Sequence, residues 1–147
     1  MTDKSTETSH DELDKHEIDQ LHSAVLQMSK SCFEYKKICV GLLGAAMALI
    51  VKLNENPVTD TLFIVALSIV ISFWLADSTA YYYQIATRKR MNSIRTEIAE
   101  RNKIDGYLVK DLELSVTKSL FNGSMKLYYS LATLINVAWL IYIGLCK

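Results

Sequence analysis

The stretch that decides the fold is residues 73–90, FWLADSTAYYYQIATRKR. It begins inside a long apolar run, carries one aspartate, Asp77, passes three tyrosines and ends in a basic triplet. Working outward, the run it closes is Leu62–Tyr83, with Asp77 as its only charge. A second run, Leu127–Cys146, holds no charge at all. Each is close to the roughly 20 residues that a bilayer core requires of a helix. A third, Ile38–Val51, is shorter. Leu53 and the stems of Lys36, Lys37 and Lys52 extend it, because long cationic side chains reach toward the interface.

The rest of the composition fits. Of 147 residues half are hydrophobic, 22% are charged, and Pro57 is the only proline. So few helix breakers imply an all-helical chain. Burying two such apolar runs inside so small a water-soluble domain is difficult. The expected fold is an all-α integral membrane protein with three transmembrane helices whose ends extend into a cytoplasmic helical stalk.

The expected organisation is a disordered start at 1–10 and a cytoplasmic helix at 11–37 that continues into span one at 38–53. A short external loop follows at 54–61, then span two at 62–83. A basic cytoplasmic helical segment covers 84–124, and span three covers 125–146. Ser9 and Glu12 have capping-box spacing, so the first helix is expected to start near His10. Asp105-Gly106 marks the expected end of the second. The segment 107–121 fits either a helix or a partly extended connector.

Charge sets the orientation. The connector between spans two and three carries Arg88, Lys89, Arg90, Arg95, Arg101, Lys103, Lys110, Lys118 and Lys126 against five carboxylates. The positive-inside rule puts that connector and the N-terminus in the cytoplasm and the C-terminus outside. Tyr81, Tyr82 and Tyr83 close span two, and Tyr128 and Tyr129 open span three. In an antiparallel pair those rings share one interface, with Trp139 and Tyr142 toward the other. The stripe Ile85, Met91, Ile94 and Ile98 needs a covering partner. Either the extension of span one packs on it, or another protein does, or it lies on an anionic bilayer.

Small residues mark the helix-packing faces: Gly41, Gly44, Ala45 and Ala48 on span one, and Ser68, Ser72, Ala76 and Ala80 on span two. They allow close backbone approach, either within a hairpin or between copies. Asn136, with Thr133 one turn earlier, needs a hydrogen-bond partner on spans one and two or on a second copy. A carboxylate at a helix centre costs about 2.5–3.5 kcal/mol to insert, and less near the interface. Candidate partners for Asp77 are Lys37, Lys126 and the hydroxyls of Tyr128 or Tyr129. The alternatives are a structural lock and a carboxylate lining a water-filled path.

No phosphate loop, zinc pattern or nucleophile elbow is present, so no enzyme, metal site or cofactor is expected. His10, His16 and His22 fall on three different helix faces. The basic triplet lacks an aromatic platform, so no direct nucleic-acid binding is expected. Cys32 and Cys39 lie about 10 Å apart on one helix, too far to bridge, and read as small buried hydrophobes.

The ordered set Phe73, Trp74, Asp77, Tyr81, Tyr82, Arg88, Arg90 and Arg95 resembles a family of small bacterial membrane proteins. In that family the second span ends in a phenylalanine-tryptophan pair. An aspartate follows three residues later, then tyrosines and a basic helix. The serine-rich connector LSVTKSLFNGS also resembles theirs. Here Ser78-Thr79-Ala80 separates the aspartate from the tyrosines. Such proteins are similar to two-transmembrane effectors of antiphage systems, retron-type or nucleotide-signalled. The resemblance implies a pore-forming or depolarising toxin of the bacterial inner membrane. It further implies a homo-oligomer in the lipid bilayer, held by a cytoplasmic sensor complex that meets Arg88, Lys89, Arg90 and Arg95. A structural subunit of a membrane complex is the competing expectation.

Overall fold

A computed structural model describes residues 3–53, 60–104, 106, 107, 109 and 111–146. The described residues are helical apart from one connector, and none forms a strand. Helix α1 spans Asp3–Leu53, α2 spans Asp60–Arg101, α3 is the short Val116–Leu120, and α4 spans Lys126–Cys146. A 3-10 turn, Gly123–Met125, leads into α4. The expected loop at 54–61 lies largely outside the described residues, and Asp60 already belongs to α2.

Two boundaries correct the sequence reading. Residues 3–10 are the first turns of α1, not a disordered start, and Ser9 is inside the helix rather than at its cap. The stretch 3–53 holds no proline, so no residue in it forces a helix boundary at residue 10. At the other boundary, α2 stops before Asp105-Gly106. Lys103 takes the left-handed conformation (φ 50°). The Ile104 amide then bonds to the Ala99 carbonyl at 2.9 Å, and the Lys103 amide to Glu100 at 3.2 Å. That pair of bonds is a Schellman stop, which satisfies the last carbonyls without a glycine.

At 1.5 Å per residue the 51 residues of α1 reach about 75 Å. Its polar half pairs with the basic end of α2. Arg101 bonds to Asp14 and lies 3.6 Å from Asp11, Asn102 donates to Asp11 at 2.8 Å, and Arg90 meets Glu17 at 3.2 Å. The Asp14 hydrogen bond holds the Arg101 guanidinium above its ordinary value. Between these charges Val25, Cys32, Met91, Ile94 and Ala99 are buried. The apolar stripe of α2 is therefore covered by α1 of the same chain, which is the stalk expected from sequence.

The apolar halves form a second layer of packing. Cys39 and Leu43 of α1, Ala66 and Val70 of α2, and Met125 and Tyr128 at the start of α4 make one buried cluster. Two helical stretches, Asp60–Arg101 and Val116–Gly144, are long and apolar enough to cross a membrane. The 38–53 part of α1 is not among the stretches that meet that test on composition.

Residues 111–115 form neither helix nor strand, Ser115 is extended, and the single turn α3 follows. Ser115 caps α3 by accepting from the Lys118 amide at 3.4 Å. Among the described residues of 84–124, helix is confined to the end of α2, to α3 and to the Gly123–Met125 turn.

Candidate functional site: a buried ion pair where stalk and apolar layers meet

Asp77 sits mid-way along α2 and is fully buried, at 0% exposure. Its Oδ2 accepts from the Lys36 ammonium. Lys36 also donates to the Cys32 carbonyl at 3.3 Å and lies 5.8 Å from the centre of the Tyr128 ring. The lock between helices thus exists, but with a cation other than those expected. Lys37 points away, pairs with Glu34 at 2.9 Å and lies over Phe33. Lys126 is exposed on α4 and Tyr129 donates to Leu120 instead, whereas Tyr128, one of the expected partners, is buried with its hydroxyl facing the Asp77 carboxylate. The cause is helical phase. Val25, Cys32 and Cys39 repeat every seven residues along the buried seam of α1. Lys36 is four residues past Cys32 and stays near the seam, whereas Lys37 is turned a further 100°.

Asp77 Oδ1, Ser78 Oγ and Tyr128 Oη are buried beside the pair, and the Asp77 carboxylate faces the Cys32 thiol and the Tyr128 hydroxyl as well as Lys36. Burial also pushes the Cys32 thiol up to about 12, with the neighbouring Asp77 carboxylate adding to the shift. A thiol so placed is neither nucleophile nor metal ligand at neutral pH. Among the described residues no group of three or more His, Cys, Asp or Glu gathers as a metal would require.

The tryptophan of the motif has a definite task that sequence reasoning missed. Trp74 Nε1 donates to the Leu120 carbonyl at 3.0 Å, and Tyr129 donates to the same oxygen. Phe121 meets the Trp74 ring edge-on at 5.8 Å. Trp74 therefore fastens the end of the connector between α2 and α4. Phe73 and Tyr81 pack on the buried cluster. Tyr82 and Tyr83 meet edge-on at 5.7 Å, with Tyr83 exposed. At the opposite end of α2, Phe63 stacks on Trp139 at 6.1 Å and approaches Tyr142 at 5.8 Å. Trp139 donates to Asp60 at 3.0 Å. The two aromatic groups thus lie at opposite ends of the apolar part of α2.

The small-residue faces do not close the hairpin. Gly41, Gly44, Ala45, Ala48, Ser68, Ser72 and Ala76 are all exposed, and only Ala80 is partly covered. A Cβ added at Gly41 or Gly44 would meet nothing within 4 Å. Ser68 and Ser72 turn their hydroxyls back to Ile64 and Ser68 carbonyls at 2.8 Å. The heptad seam of α1 carries the packing instead. Asn136 likewise finds no partner on α1 or α2: it donates to Ala132 of its own helix at 2.7 Å and, with Thr133, faces outward. Among the four cations expected to meet a partner, Arg90 bonds to Glu17 and Lys89 reaches Asp111 at 4.0 Å. Arg88 is exposed and Arg95 partly covered.

Beside the ion pair a cavity of about 370 Å³ opens between α1, α2 and the turn before α4, lined in part by Lys36, Gln84, Arg88 and Ser124. Comparison with protein-family models, with curated proteins and with solved structures finds no match for this chain.

Proposed function

We propose that this chain is a non-enzymatic, multi-pass protein of the bacterial inner membrane that acts on the bilayer itself. It is a membrane-disrupting effector of antiphage defence, held quiet by a cytoplasmic sensor partner and released on infection. In this reading α2 and α4 cross the membrane and the 38–53 part of α1 completes a three-helix unit. The stalk and residues 84–124 are cytoplasmic, and the C-terminus is external, as the cationic connector requires.

The observation that carries the reading is the outward face of the apolar layer. Small residues of α1 and α2 and the Asn136 amide of α4 are exposed there, beside Leu134, Val137 and Leu140. Small and amide side chains facing lipid favour association with other helices, since they permit close approach and interhelical hydrogen bonds. Asp77, by contrast, is fully buried against Lys36. That combination suits a resting unit that conducts nothing alone and leaks when copies assemble. The test is induced expression without partners, followed by a membrane-potential dye. Depolarisation is expected, and Asn136→Leu is expected to weaken it. Unchanged potential at full expression would contradict the proposal.

One feature favours the second reading, a structural subunit of a membrane complex. Arg90 and Arg101 already serve the chain's own stalk, which leaves fewer cations for a sensor. A subunit of that kind would be harmless alone and rapidly degraded without its complex.

A further inference from the structure

We propose that the cavity beside Lys36 and Asp77 is a binding site for the phosphate of an anionic phospholipid headgroup. The proposal rests on the membrane placement above and not on disruption of the bilayer.

The walls mix donors with the apolar surfaces of Cys32, Phe33 and the Tyr81 ring. Lys36 and Arg88 bring two cations, Gln84 an amide, and Ser29 and Ser124 two hydroxyls. No carboxylate lines the cavity: Asp77, directly behind Lys36, is at 0% exposure. Guanidinium, amide and hydroxyl groups converging on one space suit a tetrahedral oxyanion. Arg88 makes no ion pair among the described residues, so its charge is available. Gln84 supplies the second, independent sign of a ligand. It is only 5% exposed, it lines the cavity, and its amide makes no hydrogen bond among the described residues. The Gln84 amide atoms are not among the fully buried unpartnered ones, so the small exposed part of this side chain opens onto the cavity and its amide is free to meet a ligand there.

Position selects the source of the phosphate. Lys36 lies just before the apolar stretch of α1, Arg88 just after that of α2, and Ser124 just before α4. All three chain passages change from polar to apolar at this cavity. In a membrane that is the headgroup level of the cytoplasmic leaflet, where basic pockets between helices take anionic lipids. Phe33, 60% exposed, adds an apolar wall one turn before Lys36, and Lys37 lies over its ring. A volume of about 370 Å³ suits a headgroup better than a bare ion. A bound phosphate would also share the Lys36 ammonium with Asp77, which couples lipid to the helix lock.

The experiment uses the full chain purified in uncharged detergent, with the unfolding temperature followed during titration of phosphatidylglycerol, phosphatidylcholine, glycerol 3-phosphate or inorganic phosphate. A ligand that binds only the folded state raises that temperature. Phosphatidylglycerol is expected to raise it, and phosphatidylcholine and the soluble phosphates are not. Arg88→Gln is expected to weaken the phosphatidylglycerol response about tenfold, the equivalent of one lost charge-assisted bond. Gln84→Glu, which sets a carboxylate in the same space, is expected to abolish it, while Arg95→Gln leaves it intact. Equal responses to the two lipids, or an unaltered response in Arg88→Gln, would overturn the assignment. A response to free phosphate matching that to phosphatidylglycerol would overturn the lipid source. A chain that stays monodisperse without detergent would remove the membrane placement itself, before any lipid is added.

Discussion

The same two helices are joined by two kinds of ion pair, and the contrast explains how the molecule is built. Part-way along the stalk, Arg90–Glu17 joins side chains that are 55% and 42% exposed, while Arg101 at the end of α2 meets Asp14 and Asp11 at intermediate exposure. At the junction with the apolar layer, Lys36–Asp77 joins side chains at 18% and 0%. Water and salt screen the first, so it contributes little and is easily exchanged. The second exists where neither charge can be left alone. The exposed Arg90–Glu17 contact can therefore be lost at small cost, while the Lys36–Asp77 pair cannot.

The largest effect should come from breaking the buried pair. Asp77→Ala is expected to destabilise by about 3–5 kcal/mol because Lys36 is left buried and unpaired. Replacing both, as Lys36→Met with Asp77→Leu, should return most of that loss. A denaturant series in detergent with the double-mutant cycle checks both outcomes. A loss below about 1 kcal/mol for Asp77→Ala would place the pair in the exposed class and erase the contrast.

Next in size is the fastening of the connector. Trp74→Phe keeps an edge-on aromatic ring but removes the donor to Leu120, for an expected loss of about 1 kcal/mol. Limited proteolysis should then cut faster within 107–121. Smaller again is Arg90→Ala, expected to cost less than about 1 kcal/mol, with the difference from the parent vanishing in high salt.

The smallest effect at neutral pH belongs to Cys32. Its folded thiol titrates near 12 and its unfolded thiol near 9.0. The folded state holds the proton longer, so this contribution is whole below pH 9 and declines as pH rises toward 12. Maleimide should leave Cys32 unlabelled at pH 8 in the folded chain and modify it in denaturant. Labelling at equal rates in both would show that the pair's surroundings are open to water.

The layout was legible because it follows from hydrophobic lengths and scarce breakers. The 73–90 stretch sets the run of α2 through the tyrosines into its basic end, and the stripe Met91 and Ile94 requires the cover that α1 supplies. The identity of the Asp77 partner was legible in principle. Val25, Cys32 and Cys39 define a seven-residue seam, and counting from it favours Lys36 over Lys37. The small residues misled because glycine and alanine permit close packing without requiring it, and larger seam residues took the interface. The role of Trp74 depends on where the connector returns, a long-range fact that no local pattern encodes. The stop of α2 was placed late because lysine seldom adopts a positive φ, and here two backbone bonds hold it there.

The most direct measurement concerns where the apolar layer resides. Bacterial membranes containing the full chain are washed in alkaline carbonate and the pellet and supernatant compared. The account predicts that the chain stays in the pellet and is released only by detergent. Recovery in the carbonate supernatant, as for a protein held on the surface by charge alone, would contradict it.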